Sequence, residues 1–141
     1  MARGHGKNAV FKIDDSGGVL RDISAHVKGV SGLPGGRALG DTTAFGDSGE
    51  RSIPGLASAS FTVTGLADSA ATTGSLAVLN GLRTTTATAS FEYSPAGTAT
   101  GMVKTAGECW LESLTFDTDV TGPVPFSAQF KLDGVTTDTT Y

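Results

Sequence analysis

The side chains of this 141-residue sequence that can do chemistry are few and scattered. His5 and His26 are the only histidines and Cys109 is the only cysteine, which excludes an intrachain disulfide and a cysteine-based metal site. A nucleophile pair of Cys109 and His26 is formally available, but Cys109 stands in an apolar stretch, where a small buried residue is its ordinary role. These residues favour solvated histidines and a structural cysteine.

Several carboxylates stand at spacings that calcium sites and acid–base enzymes use. On a strand, Asp117 and Asp119 point to the same side, and so do Glu108 and Glu112 if the strand is regular. Nothing around them in the sequence indicates the raised pKa that acid–base catalysis needs. We expect surface carboxylates, and we predict no catalytic residue and no metal site.

The glycine-rich segment GLPGGRALGDT is the one stretch that suggests a phosphate-binding loop. It lacks the G-K-[ST] ending of such loops, opens no strong helix, and does not follow the strand that a dinucleotide fingerprint requires. The sequence therefore predicts no cofactor.

The composition indicates a β-rich protein that does not hold nucleic acid. The charged share of 17% lies below the usual value of about 25%, and the hydrophobic share is 38% without glycine, which the usual value of about 45–50% includes. Threonine and glycine fill much of the difference, and they favour strands and turns. The net charge is −4, and the ten basic residues form no cluster of the kind that binds a DNA duplex.

The sequence also gives no sign of a membrane partner. No stretch approaches the ~18–20 apolar residues of a membrane span, and the N-terminus has no signal-peptide core. We expect a protein that stays inside the cell that makes it.

Alternation of apolar and polar residues predicts about eight strands in a single domain, residues 1–141. The predicted strands cover residues 9–13, 19–20, 23–28, 58–64, 86–93, 98–105, 108–118 and 126–132. Leucines three residues apart predict one short helix over residues 69–83. Strands joined by turn signals favour a β-sandwich or barrel-like fold.

Two segments do not fit a compact sheet. Residues 1–7 are small, polar and basic, and we predict that they are mobile. Residues 31–56 read as a long inter-strand loop, which is unusual within a domain. Because this loop carries five large apolar residues, we predict an arm that packs on another surface, of which a neighbouring subunit is one candidate. The five are Leu33, Leu39, Phe45, Ile53 and Leu56.

The arm and the strand after it resemble the major tail tube proteins of long-tailed bacteriophages (siphophages) and related phage-like particles. Residues 41–56 read DTTAFGDSGERSIPGL, an aromatic-Gly-Asp segment that leads to Pro-Gly-Leu. The strand ASASFTVTGL and a helix follow in the order that this family shows. The close correspondence covers about 25–30 residues, and the order of elements extends it loosely to the whole chain. The resemblance implies a tail tube fold.

The resemblance also implies a structural role. Such subunits form hexameric rings that stack into a hollow tube, with strands of each subunit in a continuous inner barrel. On this reading the arm bridges subunits, and acidic side chains face a lumen through which DNA passes without being held. The implied inter-subunit contacts are Leu39, Phe45, Ile53, Pro54 and Leu56. The implied lumen-facing acidic residues are Glu92, Glu108, Glu112, Asp117 and Asp119.

The implied partners are further copies of the chain, a tape measure protein in the lumen, and the tail tip or baseplate and tail terminator proteins. The expected location is the virion tail, assembled in the host cytoplasm, and no enzymatic activity is expected. Three alternatives remain open at this point: a monomeric β-sandwich binding module, a hydrolase that uses Asp or Glu pairs, and the tube protein of a contractile injection system.

Overall fold

Nine β-strands and one α-helix make up residues 5–141, which are the residues that the computed structural model describes. The strands are β1 (Val10–Asp14), β2 (Leu20–Asp22), β3 (Val27–Ser31), β4 (Gly36–Asp41), β5 (Ser52–Ser58), β6 (Ser60–Leu66), β7 (Ala89–Ser94), β8 (Val103–Phe116) and β9 (Pro125–Thr140), and the helix is α1 (Ser75–Gly81). Short 3-10 turns cover Gly6–Asn8, Ser24–His26 and Leu82–Thr84. The predicted mobile segment 1–7 falls in part on residues 1–4, which lie outside the described residues.

Seven strands form one antiparallel sheet in the order β2-β1-β7-β8-β9-β6-β3, and β4 and β5 form a separate two-stranded sheet. The strands predicted over residues 9–13 and 19–20 correspond to the hairpin of β1 and β2, in which Lys12 pairs with Asp22. The strand predicted over residues 86–93 corresponds to β7, which pairs with β8 through Tyr93 and Thr105. The mostly β fold with one short helix is the predicted fold class.

One face of the seven-stranded sheet carries the core, at whose centre four phenylalanine rings meet. The Phe61 ring lies 5.0 Å from the rings of Phe91 and Phe130 and 6.3 Å from that of Phe11. Helix α1 covers this face with Val78 and Leu79, both of which are buried. The buried apolar residues are Phe11, Ile13, Ile23, Phe61, Val63, Val78, Leu79, Leu82, Ala89, Phe91, Cys109, Phe126, Ala128 and Phe130.

The predicted strand over residues 23–28 is only partly present, because a 3-10 turn precedes β3. The Ser24 hydroxyl accepts the Phe11 N–H at 2.9 Å, and the Ser24 N–H donates to Asp22 Oδ1 at 2.9 Å. Such local side-chain bonds offer the backbone an alternative to a ladder. Ile23 is therefore buried next to a turn, and its alternation with polar residues does not indicate a strand here.

The helix is shorter than the predicted 69–83, since α1 begins at Ser75. Thr72 has a φ of 69°, which a helix cannot contain. The buried Ser75 hydroxyl donates to the Leu66 carbonyl at 3.0 Å and accepts the Asp68 N–H at 2.8 Å. These bonds tie the start of the helix to the end of β6 and exclude an earlier start.

The predicted long loop over residues 31–56 contains the hairpin β4–β5, and this hairpin stands away from the core. Leu39 pairs with Pro54 and Gly40 pairs with Ile53. Every residue of both strands is exposed. We call residues 36–58 the arm and residues 41–51 the arm tip.

The strands β8 and β9 are the longest, and they differ most from the sequence prediction. The two strands predicted over 98–105 and 108–118 are the single strand β8, with register shifts near Gly107 and Glu112. β9 continues past the predicted end at residue 132 to Thr140. Tyr141 then fixes the end of β9, because its hydroxyl lies 2.9 Å from the Ser94 hydroxyl. Among the described residues, no helix is long and apolar enough to cross a membrane.

Candidate assembly surfaces

The arm tip is a tight turn that one carboxylate organises. The Asp47 N–H donates to the Ala44 carbonyl at 3.2 Å, and the Ala44 N–H donates to Asp47 Oδ2 at 2.8 Å. Gly46 has a φ of 93°, a conformation that glycine adopts without strain. The backbone on either side of Phe45 is held by these bonds, and the Phe45 side chain is fully exposed to solvent.

Contacts across the base of the tip fix it further. The Thr42 N–H donates to the Arg51 carbonyl at 2.9 Å, and the Arg51 N–H donates to Thr43 Oγ1 at 2.9 Å. The Arg51 guanidinium lies 3.4 Å from the Asp47 carboxylate. The tip is therefore an ordered display of an aromatic ring.

The predicted contact residues all lie on the arm or its tip, and all are exposed. The exposed fraction is 65% for Leu39, 109% for Phe45, 58% for Ile53 and 88% for Leu56, and Pro54 is exposed as well. Leu39 and Pro54 are opposite each other and share one face of the hairpin, while Ile53 points to the other face. Exposed apolar surface of this kind is typical of interaction sites.

Two of the predicted lumen residues lie together on the outer face of the sheet, opposite the core. Glu92 and Glu108 alternate with the buried Phe91 and Cys109 on neighbouring strands. Lys104 Nζ lies 3.8 Å from Glu92 Oε1. These carboxylates belong to one surface.

The other three lie apart from this pair. Glu112 sits at a register shift in β8, so the regular alternation that would align it with Glu108 is absent. Asp117 and Asp119 follow the end of β8 at Phe116, and the strand argument for a shared side does not apply to them. Asp119 instead accepts the Thr121 N–H at 3.1 Å within the connection to β9.

A carboxylate pair that the sequence did not reveal joins β1 to β8. The Ser90 N–H donates to Asp14 Oδ2 at 3.1 Å, and the Ser90 hydroxyl donates to Glu108 Oε1 at 2.6 Å. Burial raises the pKa of Asp14 above its ordinary value, and the nearby Glu108 charge adds to this effect. Only the sheet register brings these two residues together, and no local motif signals it.

The outer face of the central strands β6, β8 and β9 is almost entirely uncharged and polar. Its members alternate with buried core residues and pair across the strands. They are Ser60, Thr62, Thr64, Trp110, Ser113, Thr115, Ser127, Gln129 and Lys131. This surface offers hydroxyl and amide groups and one lysine, with the acidic pair Glu92 and Glu108 beside it.

A groove of about 380 Å³ opens where the two ends of the curved sheet approach each other. We call it the β1–β3 groove. It is lined by Val10 of β1, by Val27 and Val30 of β3, and by Tyr93. Lys7 and Lys28 also line it and give it a positive charge. The sequence did not predict it, because its walls come from strands that are not neighbours in the sheet order.

The remaining candidate groups do not form a reactive site. Burial raises the pKa of the Cys109 thiol to about 12, and its Sγ donates to the Ala89 carbonyl at 3.5 Å. His26 Nε2 lies 3.0 Å from Asp68 Oδ2, in the segment between β6 and α1. The Cys109–His26 pair is therefore not formed, and within residues 5–141 no group of three His, Cys, Asp or Glu side chains is placed to hold a metal.

No protein-family model matches the sequence, and no curated protein matches it. Solved structures do match over nearly the full chain. The tail of a gene transfer agent particle, refined with helical C6 symmetry, has a TM-score of 0.76 and 16% identity, covering 98% of this chain and 99% of that one.

Two further structures extend the comparison to other particles. The SPP1 tail tube has a TM-score of 0.70 and 14% identity, with 99% of this chain and 80% of that chain covered. The sheath–tube complex of an extracellular contractile injection system has a TM-score of 0.68 and 15% identity, with 99% and 93% covered. The expectation drawn from the arm motif is thus confirmed at the level of structure, and the chain has the tail tube fold.

Proposed function

We propose that this chain is a structural subunit of a tail tube, in which six copies form a ring and rings stack into a hollow conduit. The observation that carries the proposal is the combination of the tail tube fold with an ordered arm that exposes apolar side chains to solvent. The role is structural rather than enzymatic. The motif at residues 41–56 favours a long-tailed phage or a gene transfer agent over a contractile system.

The arm supports polymerisation because its apolar side chains gain free energy only when something covers them. Full burial of a Leu, Ile or Phe side chain is worth about 1.5–3 kcal/mol. Leu39, Phe45 and Leu56 are each more than half exposed. A surface that binds a different surface of the next copy produces rings or open filaments, and a tube contains both kinds of contact.

Open strand edges in the sheet support the continuous inner barrel. Residues 110–116 of β8 pair only with β9, since β7 begins at Ala89 opposite Cys109. Residues 133–140 of β9 pair only with β8, since β6 begins at Ser60 opposite Lys131. Exposed edges invite pairing with another chain, and closure into a barrel removes them. Neighbouring copies are the natural source of the missing strands.

The polar outer face suits the wall of a DNA conduit. A duplex binds where lysine and arginine neutralise its phosphates, while acidic and neutral groups leave it free to slide. In this proposal that face lines the lumen, and Glu92, Glu108, Glu112, Asp117 and Asp119 supply negative charge to it or to its rims. A tape measure protein in the lumen, and tip or baseplate and terminator proteins at the ends, complete the assembly in the host cytoplasm.

Electron microscopy of the purified chain, concentrated and negatively stained, tests the proposal directly. We expect hollow tubes with a regular axial repeat, either spontaneously or after addition of a tail tip complex. Removal of residues 37–52 is expected to leave a folded monomer that forms no tubes. Tubes from the shortened chain would show that the arm is not the bridging element, and an absence of tubes from the full chain with its tip complex would refute the tube role.

The lumen assignment has a separate test. Asp117→Lys combined with Asp119→Lys is expected to leave assembly intact and to slow DNA delivery by assembled particles, because new positive charge in the wall holds phosphates. Unchanged delivery would place these two carboxylates outside the lumen.

A further inference from the structure

We propose that the arm tip of one copy binds in the β1–β3 groove of a neighbouring copy, with Phe45 inserted between the strand ends. The inference rests on the proposed tube function and names the surface that receives the arm. It follows from three relations between the two surfaces. The groove is large enough for the tip's aromatic side chain, both surfaces carry apolar side chains, and their charges are opposite.

The arm tip has the features of a binding element that is formed before it meets its partner. Phe45 is fully exposed, and the Asp47 and Thr43 bonds already hold the loop around it. Binding then loses little conformational entropy, which is the main cost of ordering a loop at an interface. An aromatic side chain on a rigid loop is a typical anchor residue.

The groove has the complementary features. Its volume of about 380 Å³ lies in the range of sites that enclose small molecules, about 300–1,000 Å³, which suffices for an aromatic side chain and its flanks. Val10, Val27 and Tyr93 supply the apolar part of a lining that is about half polar. Within residues 5–141, β3 pairs only with β6, so its other backbone edge at the groove can bond to an incoming chain.

The charges of the two surfaces are opposite. Three carboxylates and one guanidinium leave the arm tip with a net charge of −2; they are Asp41, Asp47, Glu50 and Arg51. The groove carries Lys7 and Lys28, and within residues 5–141 neither lysine is paired with a carboxylate. Such complementarity selects a partner and its orientation.

The occupant is a second copy because the arm of the same chain does not line the groove. All lining residues come from residues 6–30 and 93–95, none from residues 36–58. Within residues 5–141, the arm tip of each copy therefore lies outside its own groove. A contact between two different surfaces propagates from copy to copy, as a polymer requires.

Disulfide trapping in the full chain tests the contact. A chain with Ser48→Cys at the tip and Pro95→Cys at the groove, which keeps both groove lysines, is expected to give a ladder of covalent oligomers under mild oxidation. Each single variant can give only dimers, and the buried native Cys109 does not take part. The matched control joins Ser48→Cys with Lys131→Cys, which is exposed on the outer face. No ladder, or an equal ladder from the control, would overturn the inference.

Charge reversal gives a second, independent readout. We expect Lys28→Glu to raise the critical concentration for assembly several-fold, and Glu50→Lys added to it to lower the value again. A double variant that assembles no better than Lys28→Glu alone would contradict the pairing of tip and groove.

The two proposals fail in different ways. Tubes without a ladder leave the tube function standing and remove the groove contact. A ladder without tubes supports the contact and refutes the tube, and the absence of both refutes both.

Discussion

Replacement of Phe61 by alanine is expected to be the most costly single change in the core. Phe61 is 1% exposed, and its ring is within 6.3 Å of three other phenylalanine rings. Truncation of a buried phenylalanine to alanine costs about 3–5 kcal/mol through lost burial and the cavity that remains. Because Phe61 takes part in three aromatic pairs, we expect a loss of unfolding free energy in the upper part of this range, about 4–5 kcal/mol.

Urea titration followed by Trp110 fluorescence measures this loss, at a protein concentration where the chain is monomeric. With a slope of about 2 kcal/mol per molar urea, the midpoint falls by about 2 M. Phe45→Ala is the matched control, since the same substitution in a fully exposed ring is expected to change the unfolding free energy by less than about 0.5 kcal/mol. A loss below about 2 kcal/mol for Phe61→Ala would show that the four rings are not the centre of the core.

Three further predictions concern burial and backbone spacing. Because burial raises the pKa of Cys109 to about 12, its thiol is expected to resist a thiol reagent at pH 8 in the native chain and to react in urea, and rapid native labelling would contradict its burial. The contribution of Cys109 to the free energy of unfolding is complete below the unfolded pKa near 9.0 and is lost as pH rises through the folded value. The pKa of Asp14 is raised by burial and by Glu108, so its contribution to the free energy of unfolding is complete below its ordinary pKa of 3.8 and is lost as pH rises through the higher folded value. Asp14→Asn is therefore expected to stabilise the chain at pH 7 and not at pH 3, as urea titrations at the two pH values would measure. Equal effects at both pH values would show that the charge of the buried carboxylate is not the cause. Gly65→Ala is expected to lower the free energy of unfolding by about 1–3 kcal/mol in thermal unfolding, because the added methyl group overlaps the backbone at the start of β3. Gly36→Ala on the arm is the control, since its methyl group would meet free space, and equal losses from the two variants would show that β3 can move away from β6 without cost.

The sequence was sufficient for the strands in which alternation is regular. Phe61 and Val63 in β6, and Phe126, Ala128 and Phe130 in β9, alternate with polar residues and are all buried. The fold class followed from these patterns and from the turn residues between them. In each case one sheet face is apolar and the other is polar, so local sequence determines which side is buried.

The sequence was insufficient where register or partner choice decides the structure. The composition of residues 31–56 indicates a loop, yet backbone pairing alone makes a hairpin of residues that are all exposed. The register shifts in β8 interrupt its alternation of apolar and polar residues, and for this reason the sequence predicted two strands where the structure has one. The β1–β3 groove and the Asp14–Ser90–Glu108 contact join distant segments, and no local pattern encodes such proximity. The contact and lumen residues stay predictions until an assembly is measured.

The position of β9 in the sheet has a consequence for how the chain is synthesised. Between residues 5 and 141, β9 is the last strand in chain order, yet it lies in the middle of the sheet between β8 and β6. As the ribosome makes the chain, the ribbon β3–β6 and the ribbon β2-β1-β7-β8 have no shared hydrogen-bonded neighbour until residues 125–140 emerge. Non-local pairing of this kind is slow to form. Partly made chains therefore lack a joined sheet until β9 has left the ribosome.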